Sequence, residues 1–280
     1  MLPYGISESL PVYSNKHSRR DYTQRQLFVL FLLKQKSKLS YDDFVDDFST
    51  RDSAIKRLKL KKVPTASTLK MFIKRIGCDI LELILASCIN LPRKGKMNTA
   101  IDATGFQLED GSYSYLKRLG LSTKKRKNLK LSAMVDTSKH IFLAIKPRKG
   151  TVHDNKDFKP LVTKTLRNTN RKIRVNTSDK GYDCEENHEF AESKSFENIA
   201  PLRKKTKQYH RIQGKHRKAL TKKFPKKKYH RRSIIENMFF CVKRLCGKVI
   251  FAKKWMMQKR EILGKVIAYN VHRLVQILKF

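Results

Sequence analysis

The chain has 280 residues, 40% of them hydrophobic, and carries 64 Lys or Arg against 24 Asp or Glu, a formal net charge of +40. That apolar content supports one large packed domain or two ordinary ones and excludes wholesale disorder. A charge so far from neutral repels itself unless the chain works beside a polyanion, which argues against a small-molecule enzyme with a neutral surface. The five cysteines (Cys78, Cys88, Cys184, Cys241, Cys246) are odd in number and form no CxxC pair. Neither a disulfide framework nor a zinc site is expected from them. No apolar run approaches the ~20 residues of a membrane span, and no signal peptide is visible, so a cytoplasmic protein without a membrane partner is expected.

Residues 1–100 hold 19 basic and 9 acidic residues, and residues 101–280 hold 45 and 15. The first part reads as helical. Leu27, Leu30, Phe31 and Lys34 follow helical spacing within 22–35. Ser40 precedes Tyr-Asp-Asp-Phe, a capped start with acids in the first turn. After Pro64, Thr65 or Ser67 can cap a helix whose apolar stripe is Leu69, Phe72, Ile73 and Ile76, with Lys70, Lys74 and Arg75 mostly off it. A short helix, a turn and a basic amphipathic helix suit a helix-turn-helix, and a plain helical bundle fits as well. Residues 90–96, with Pro92 and Gly95, read as a linker, so residues 1–95 are expected to form a helical domain and 96–280 a second one.

From Met97 the texture changes to strands. Residues 97–106 predict a short strand ending near Asp102. Residues 128–138 and 140–150 read as a hairpin turning at Asp136 to Lys139. A helix is expected over 154–166, capped by Asp154. A strand over 171–183 ends at Asp179, a helix spans 184–193 with Asp183 near its start, and a last strand covers 195–204. Residues 198–235 hold fifteen Lys or Arg and no carboxylate. The basic run 203–228 within them reads as a backbone-binding segment or a solvated loop. Tyr229 to Leu245 and Glu261 to Phe280 read as long helices. Trp255 lies between them, with a place in the core expected. The order predicts an α/β domain, a mixed sheet with helices on its faces. Chemistry on such a sheet sits at the carboxyl ends of strands, where Asp102 and Asp179 are expected.

Glu236 is the one carboxylate between Glu197 and Glu261. Tyr229, Arg232 and Lys243 lie at offsets −7, −4 and +7 from it. At ~100° per residue these fall at about +20°, −40° and −20°, one stripe about 60° wide. The stripe is polar, while Ile234, Ile235, Met238, Phe239 and Val242 supply burial elsewhere. Either Arg232–Glu236 is a surface pair, or the acid is a metal ligand in a basic field.

Tyr229, Arg232, Glu236 and Lys243 at this spacing resemble the signature of the DDE transposases of prokaryotic insertion sequences, closest to the insertion-sequence-four and -five group. Asp102 in Ile-Asp-Ala-Thr-Gly-Phe, Asp179 in Thr-Ser-Asp-Lys-Gly-Tyr-Asp, His153–Asp154 and Ala-Tyr-Asn-Val-His-Arg-Leu at 268–274 are similar too. The resemblance covers 96–280 and implies a ribonuclease-H-like catalytic domain behind the helical N-terminal domain. It implies that Asp102, Asp179 and Glu236 are the catalytic acids and hold two Mg²⁺ ions, which Mn²⁺ can replace. Tyr229, Arg232 and Lys243 would bind DNA. Hard cations with few protein carboxylates suit in-line displacement at phosphorus. The implied activity is strand cleavage and strand transfer on double-stranded DNA, at terminal inverted repeats and at a target. A homodimer would act on it in a prokaryotic cytoplasm, beside the nucleoid. Two alternatives remain: a nuclease that cuts without joining, and a basic nucleic-acid-binding protein without catalysis.

Overall fold

A computed structural model describes residues 10–17, 19–89, 95–108, 118, 120, 128–150, 153–203 and 212–278. Most of the expected linker (90–94) and residues 204–211 of the basic run lie outside the described residues. The chain divides into two compact units, one of residues 1–88 with 242–280 and one of residues 89–241. No helix among the described residues is long and apolar enough to cross a membrane. All five cysteines are free.

The first unit is helical. Helices α1 (Gln24–Ser37), α2 (Tyr41–Ser49), α3 (Asp52–Arg57), α4 (Ala66–Arg75) and α5 (Cys78–Ser87) follow in order. Thr23 and Gln26 close a reciprocal capping box on α1, Ser40 caps α2, and Thr65 caps α4. Each cap supplies an acceptor to amides that have no partner inside the helix. Leu30, Phe44, Phe48, Leu60 and Leu69 form the core of these helices. A long C-terminal helix, Trp255–Leu278, packs with α1 and α5. A Cβ on its Gly264 would lie 2.3 Å from the Phe31 ring, so the approach to α1 depends on glycine there. The sequence reading grouped this helix with the sheet, whereas its apolar face belongs to the helical unit. It also starts six residues earlier than predicted, at Trp255, which is half-buried beneath Lys259.

The second unit is built on one five-stranded sheet, in the order β3-β2-β1-β4-β5. Its strands are β1 (Met97–Gln107), β2 (Asn128–Asp136), β3 (Ile141–Lys149), β4 (Ile173–Ser178) and β5 (Glu197–Ile199). The first three pair antiparallel, and β4 and β5 run parallel to β1. Helices α6 (Phe158–Thr169) and α7 (Glu185–Ser193) make the crossovers. On one face, Met97, Ile101, Met134, Leu143, Phe158 and Tyr182 form a buried cluster. On the other, Phe142 meets Phe239 at 5.8 Å between ring centroids. Phe239 lies on α10 (Ser233–Cys246), which follows α8 (Lys215–Lys222), α9 (Lys226–Tyr229) and a 3₁₀ turn, His230–Arg232. This is the mixed α/β sheet with helices on its faces that the strand order predicts, and it agrees with the ribonuclease-H-like fold that the resemblance implies.

Five local expectations need correction. Strand β1 does not end near Asp102: β2 pairs with it as far as Gln107, so residues beyond Asp102 keep ladder partners. Asp154 does not cap a helix, because its carboxylate is taken by Lys130 at 2.5 Å, and α6 starts at Phe158 after a 3₁₀ turn. The last strand is only three residues long. The long helix over 229–245 is interrupted by the 3₁₀ turn. Part of the basic run, expected as a binding segment or loop, forms α8.

Candidate active site

Register brings the first two acids together. The parallel β1–β4 ladder ends with Ile101 opposite Ser178, so the next residues along the two strands are Asp102 and Asp179. Asp102 faces away from the Ile101 cluster because side chains alternate along a strand. Asp179 leads into a 3₁₀ turn, Lys180–Tyr182. That turn is anchored from behind by Asn187, whose amide donates to the Tyr182 carbonyl at 3.0 Å and also to Asn155. A Cβ at Gly181 would meet the Asp154 carboxylate at 2.9 Å and push that side chain aside.

Arg232 joins the third acid to the first. Its guanidinium lies 3.2 Å from Asp102 Oδ2 and 2.8 Å from Glu236 Oε1. The Asp102 and Arg232 side chains are 17% and 21% exposed, and Glu236 is 51% exposed. The 3₁₀ turn explains why Tyr229 joins them. In that geometry residues i and i+3 eclipse, and the Arg232 guanidinium carbon lies 5.9 Å from the centre of the Tyr229 ring. Phe224 packs edge-on against the same ring at 5.1 Å. Lys243 is two turns beyond Glu236 on α10, half-buried, and burial lowers the pKa of its ammonium. The sequence-predicted residues of the second unit (Asp102, Asp179, Tyr229, Arg232 and Glu236) are thus electrostatically coupled to one another.

Burial pushes the Asp102 carboxyl up to about 6. The Ala103 amide, 2.8 Å away, and Arg232 oppose the rise, whereas Asp179 and Glu236 add to it by repulsion. The Tyr229 hydroxyl is also raised, chiefly by burial. A carboxyl raised by burial and by neighbouring acids is relieved by a nearby cation. Three carboxylates offer hard oxygen donors of the kind Mg²⁺ and Mn²⁺ take, so the residue types fit a divalent ion. Among the described residues, however, no three His, Cys, Asp or Glu side chains converge closely enough to hold one. Arg232 bridges two of the acids instead.

Other acids near the site have structural partners. Asp183 does not start α7. Its side chain, 1% exposed, receives Arg217 Nε at 2.9 Å, Arg217 Nη2 at 3.0 Å and the Arg203 amide at 2.8 Å. Glu185 accepts the amides of His216 and Arg217 at the start of α8. Asp183→Ala is expected to destabilise the protein by about 3 kcal/mol, because Arg217 loses its buried partner; equilibrium denaturation measures this, and an unchanged midpoint contradicts it. Asp157, missed in the sequence, is fully buried and takes Ser132 (2.7 Å) and Arg148 (2.6 Å). No local signal separates it from a surface acid, since its partners are nine and twenty-five residues away. Asp136 accepts the Ser138 and Lys139 amides, the turn role expected of it. His153 is exposed.

Known proteins resemble this chain in two ways. The piggyBac transposase in its synaptic complex with hairpin DNA matches with a TM-score of 0.54 at 10% identity, covering 97% of this chain and 70% of that one. The Mos1 strand transfer complex matches at a TM-score of 0.33 and 11% identity, over 96% and 80% of the two chains, and carries no argument. At such identities the piggyBac likeness speaks to the fold alone. No curated protein matches the sequence. The Transposase DDE domain family matches residues 93–271, more than half of the chain. That span contains Asp102, Asp179 and Glu236, so the chain belongs to the transposase DDE domain family and is a DDE-type DNA transposase.

Proposed function

We propose that this protein is the transposase of a prokaryotic insertion sequence of the four/five-like group. It binds the terminal inverted repeats and catalyses strand cleavage and strand transfer. The observation that carries this reading is the Asp102–Arg232–Glu236 bridge beside Asp179, at the end of the β1–β4 ladder. Asp102, Asp179 and Glu236 are the acids that would hold two Mg²⁺ ions, or Mn²⁺ in their place. When bound, such ions activate a water or 3′-hydroxyl nucleophile and stabilise the leaving oxygen.

The chain's own side chains have separable tasks. Asp102 stands on a strand fixed by partners on both sides, so its carboxylate is held rigidly. Glu236 reaches from a helix at the exposed rim. Arg232 neutralises these two acids when no substrate is present and can turn to a DNA phosphate when cations take over that task. Its planar fork suits a phosphate as well as a carboxylate. Tyr229 keeps the guanidinium in place by stacking, and Lys243, on the same helix, supplies a further phosphate contact. Residues 1–95 would contribute to end recognition or to the homodimer that pairs two ends, and the protein would work at the nucleoid. A net charge of +40 supplies the steering that draws DNA in.

Incubation with pre-cut terminal-repeat ends and a supercoiled plasmid tests the joining step. Concerted insertion of end pairs in Mg²⁺ is expected. Cutting of uncut ends without any joining of pre-cut ones would make the protein a nuclease instead.

A further inference from the structure

We infer that a cavity on the Asp102 face of the sheet is a second phosphate-binding subsite, which holds the DNA strand about two nucleotides from the bond that is cut. The inference rests on the reading that the acids cut DNA, and it adds where the strand lies. The cavity has a volume of about 440 Å³, within the range of small-molecule ligand sites. Asn98 on β1 lines it, together with Arg174 on β4 and Glu197 on β5. Its remaining charged wall is Lys227, Lys228 and Arg231.

Strand register fixes its relation to the acids. Asn98 and Asp102 are both even-numbered residues of β1 and so share a face, four residues or roughly 13 Å apart. Val175 is opposite Asn98 and Glu197 is opposite Val175, and the register shift between Met97 and Asn98 leaves Arg174 unpaired in the ladder beside them. The segment 226–232 then links the two places directly: Arg231 lines the cavity, and its neighbour Arg232 bridges Asp102 and Glu236. Because a strand winds about the duplex axis as it rises 3.4 Å per nucleotide, phosphates roughly 13 Å apart are about two nucleotides apart.

The charges point to an anion. Four cations face one carboxylate. Glu197 is used by Lys228 at 2.6 Å, and Arg174 donates to Asn98 Oδ1 at 3.0 Å. Among the described residues, Lys227 and Arg231 form no ion pair. Two uncommitted cations on the wall of a concave site focus a positive potential that a phosphate relieves. A free nucleotide shares this chemistry, but consecutive residues serving the cavity and the acids favour one continuous polyanion.

The test uses the full chain with Lys227→Gln and Arg231→Gln together, exposed positions whose change leaves the core intact. Binding is read by anisotropy in EDTA, so the result does not depend on cleavage. The slope of log affinity against log salt is expected to become shallower by about 1.8 on terminal-repeat duplex. A scan with single methylphosphonate linkages should show a wild-type loss of affinity about one to three nucleotides from the repeat boundary that vanishes in the double variant. Lys218→Gln with Lys222→Gln on α8 removes the same charge and should leave that position-specific loss in place. An identical methylphosphonate profile in wild type and double variant overturns the subsite. So does tight wild-type binding of a mononucleotide, lost in the double variant, without any position-specific effect on DNA. Absence of cleavage alongside the expected profile would sink the transposition reading and leave the subsite standing.

Discussion

Asp102→Asn is expected to make the metal-free protein more stable at neutral pH while ending strand cleavage. The folded protein holds the Asp102 carboxyl at about 6, against an ordinary value of 3.8, because burial and two neighbouring acids disfavour its charge. A raised carboxyl binds its proton more tightly in the folded state than in the unfolded one. Its contribution to stability is therefore present below pH ~4 and is lost as pH rises through about 6. Above that, ionised Asp102 is a standing cost of about 2–3 kcal/mol, and asparagine removes it. Denaturant unfolding in EDTA should show wild type and variant parallel below about pH 4, diverging between about pH 4 and 6, and separated by a constant gap above that. Equal stability at every pH contradicts the electrostatic account of the site. On the proposed reading the same charge would help to hold a divalent cation, so Mg²⁺ should stabilise wild type and leave the variant nearly unchanged.

Arg232→Ala is expected to tighten the metal requirement of cleavage and at the same time to slow it. Arg232 pulls Asp102 down by its charge and bridges it to Glu236. Without it, divalent cations meet no competing charge, so the concentration that half-saturates cleavage should fall severalfold. The rate at saturating metal should drop about a hundredfold, as expected when a donor aimed at the reacting phosphate is removed. Arg232→Lys keeps a charge without the planar fork and should recover part of the rate. A metal titration of cleavage for the three proteins separates these effects. A rate loss with an unchanged metal requirement would mean that Arg232 serves the DNA alone.

Much of this site was legible because the deciding patterns are local. Tyr229, Arg232, Glu236 and Lys243 lie within fifteen residues, and their spacing survives a 3₁₀ turn because that turn eclipses Tyr229 with Arg232. The helix caps at Ser40 and Thr65 and the hairpin at Asp136 follow from short-range chemistry in the same way. What the sequence hid depends on distant partners. Whether β1 stops at Asp102 is decided by β2, some thirty residues on, which keeps pairing to Gln107. Whether Asp154 and Asp183 cap helices is decided by Lys130 and Arg217, which claim them first. The attachment of the last helix depends on Gly264 admitting the Phe31 ring, a contact across more than two hundred residues. The cavity beside Asn98 drew no notice because its cations come from β4 and from the basic run, where any single lysine reads as solvated.

The most direct test of the three acids is cleavage of a labelled duplex carrying the element's own terminal repeat, with wild type and Glu236→Gln, in Mg²⁺ and in EDTA. Glu236 is exposed at the rim, so the substitution leaves the fold and DNA binding in place. Nicking at the repeat boundary by wild type in Mg²⁺ is predicted, with none in EDTA and at least about a thousandfold less by the variant. Equal cleavage by both proteins, or cleavage that persists in EDTA, would contradict the account.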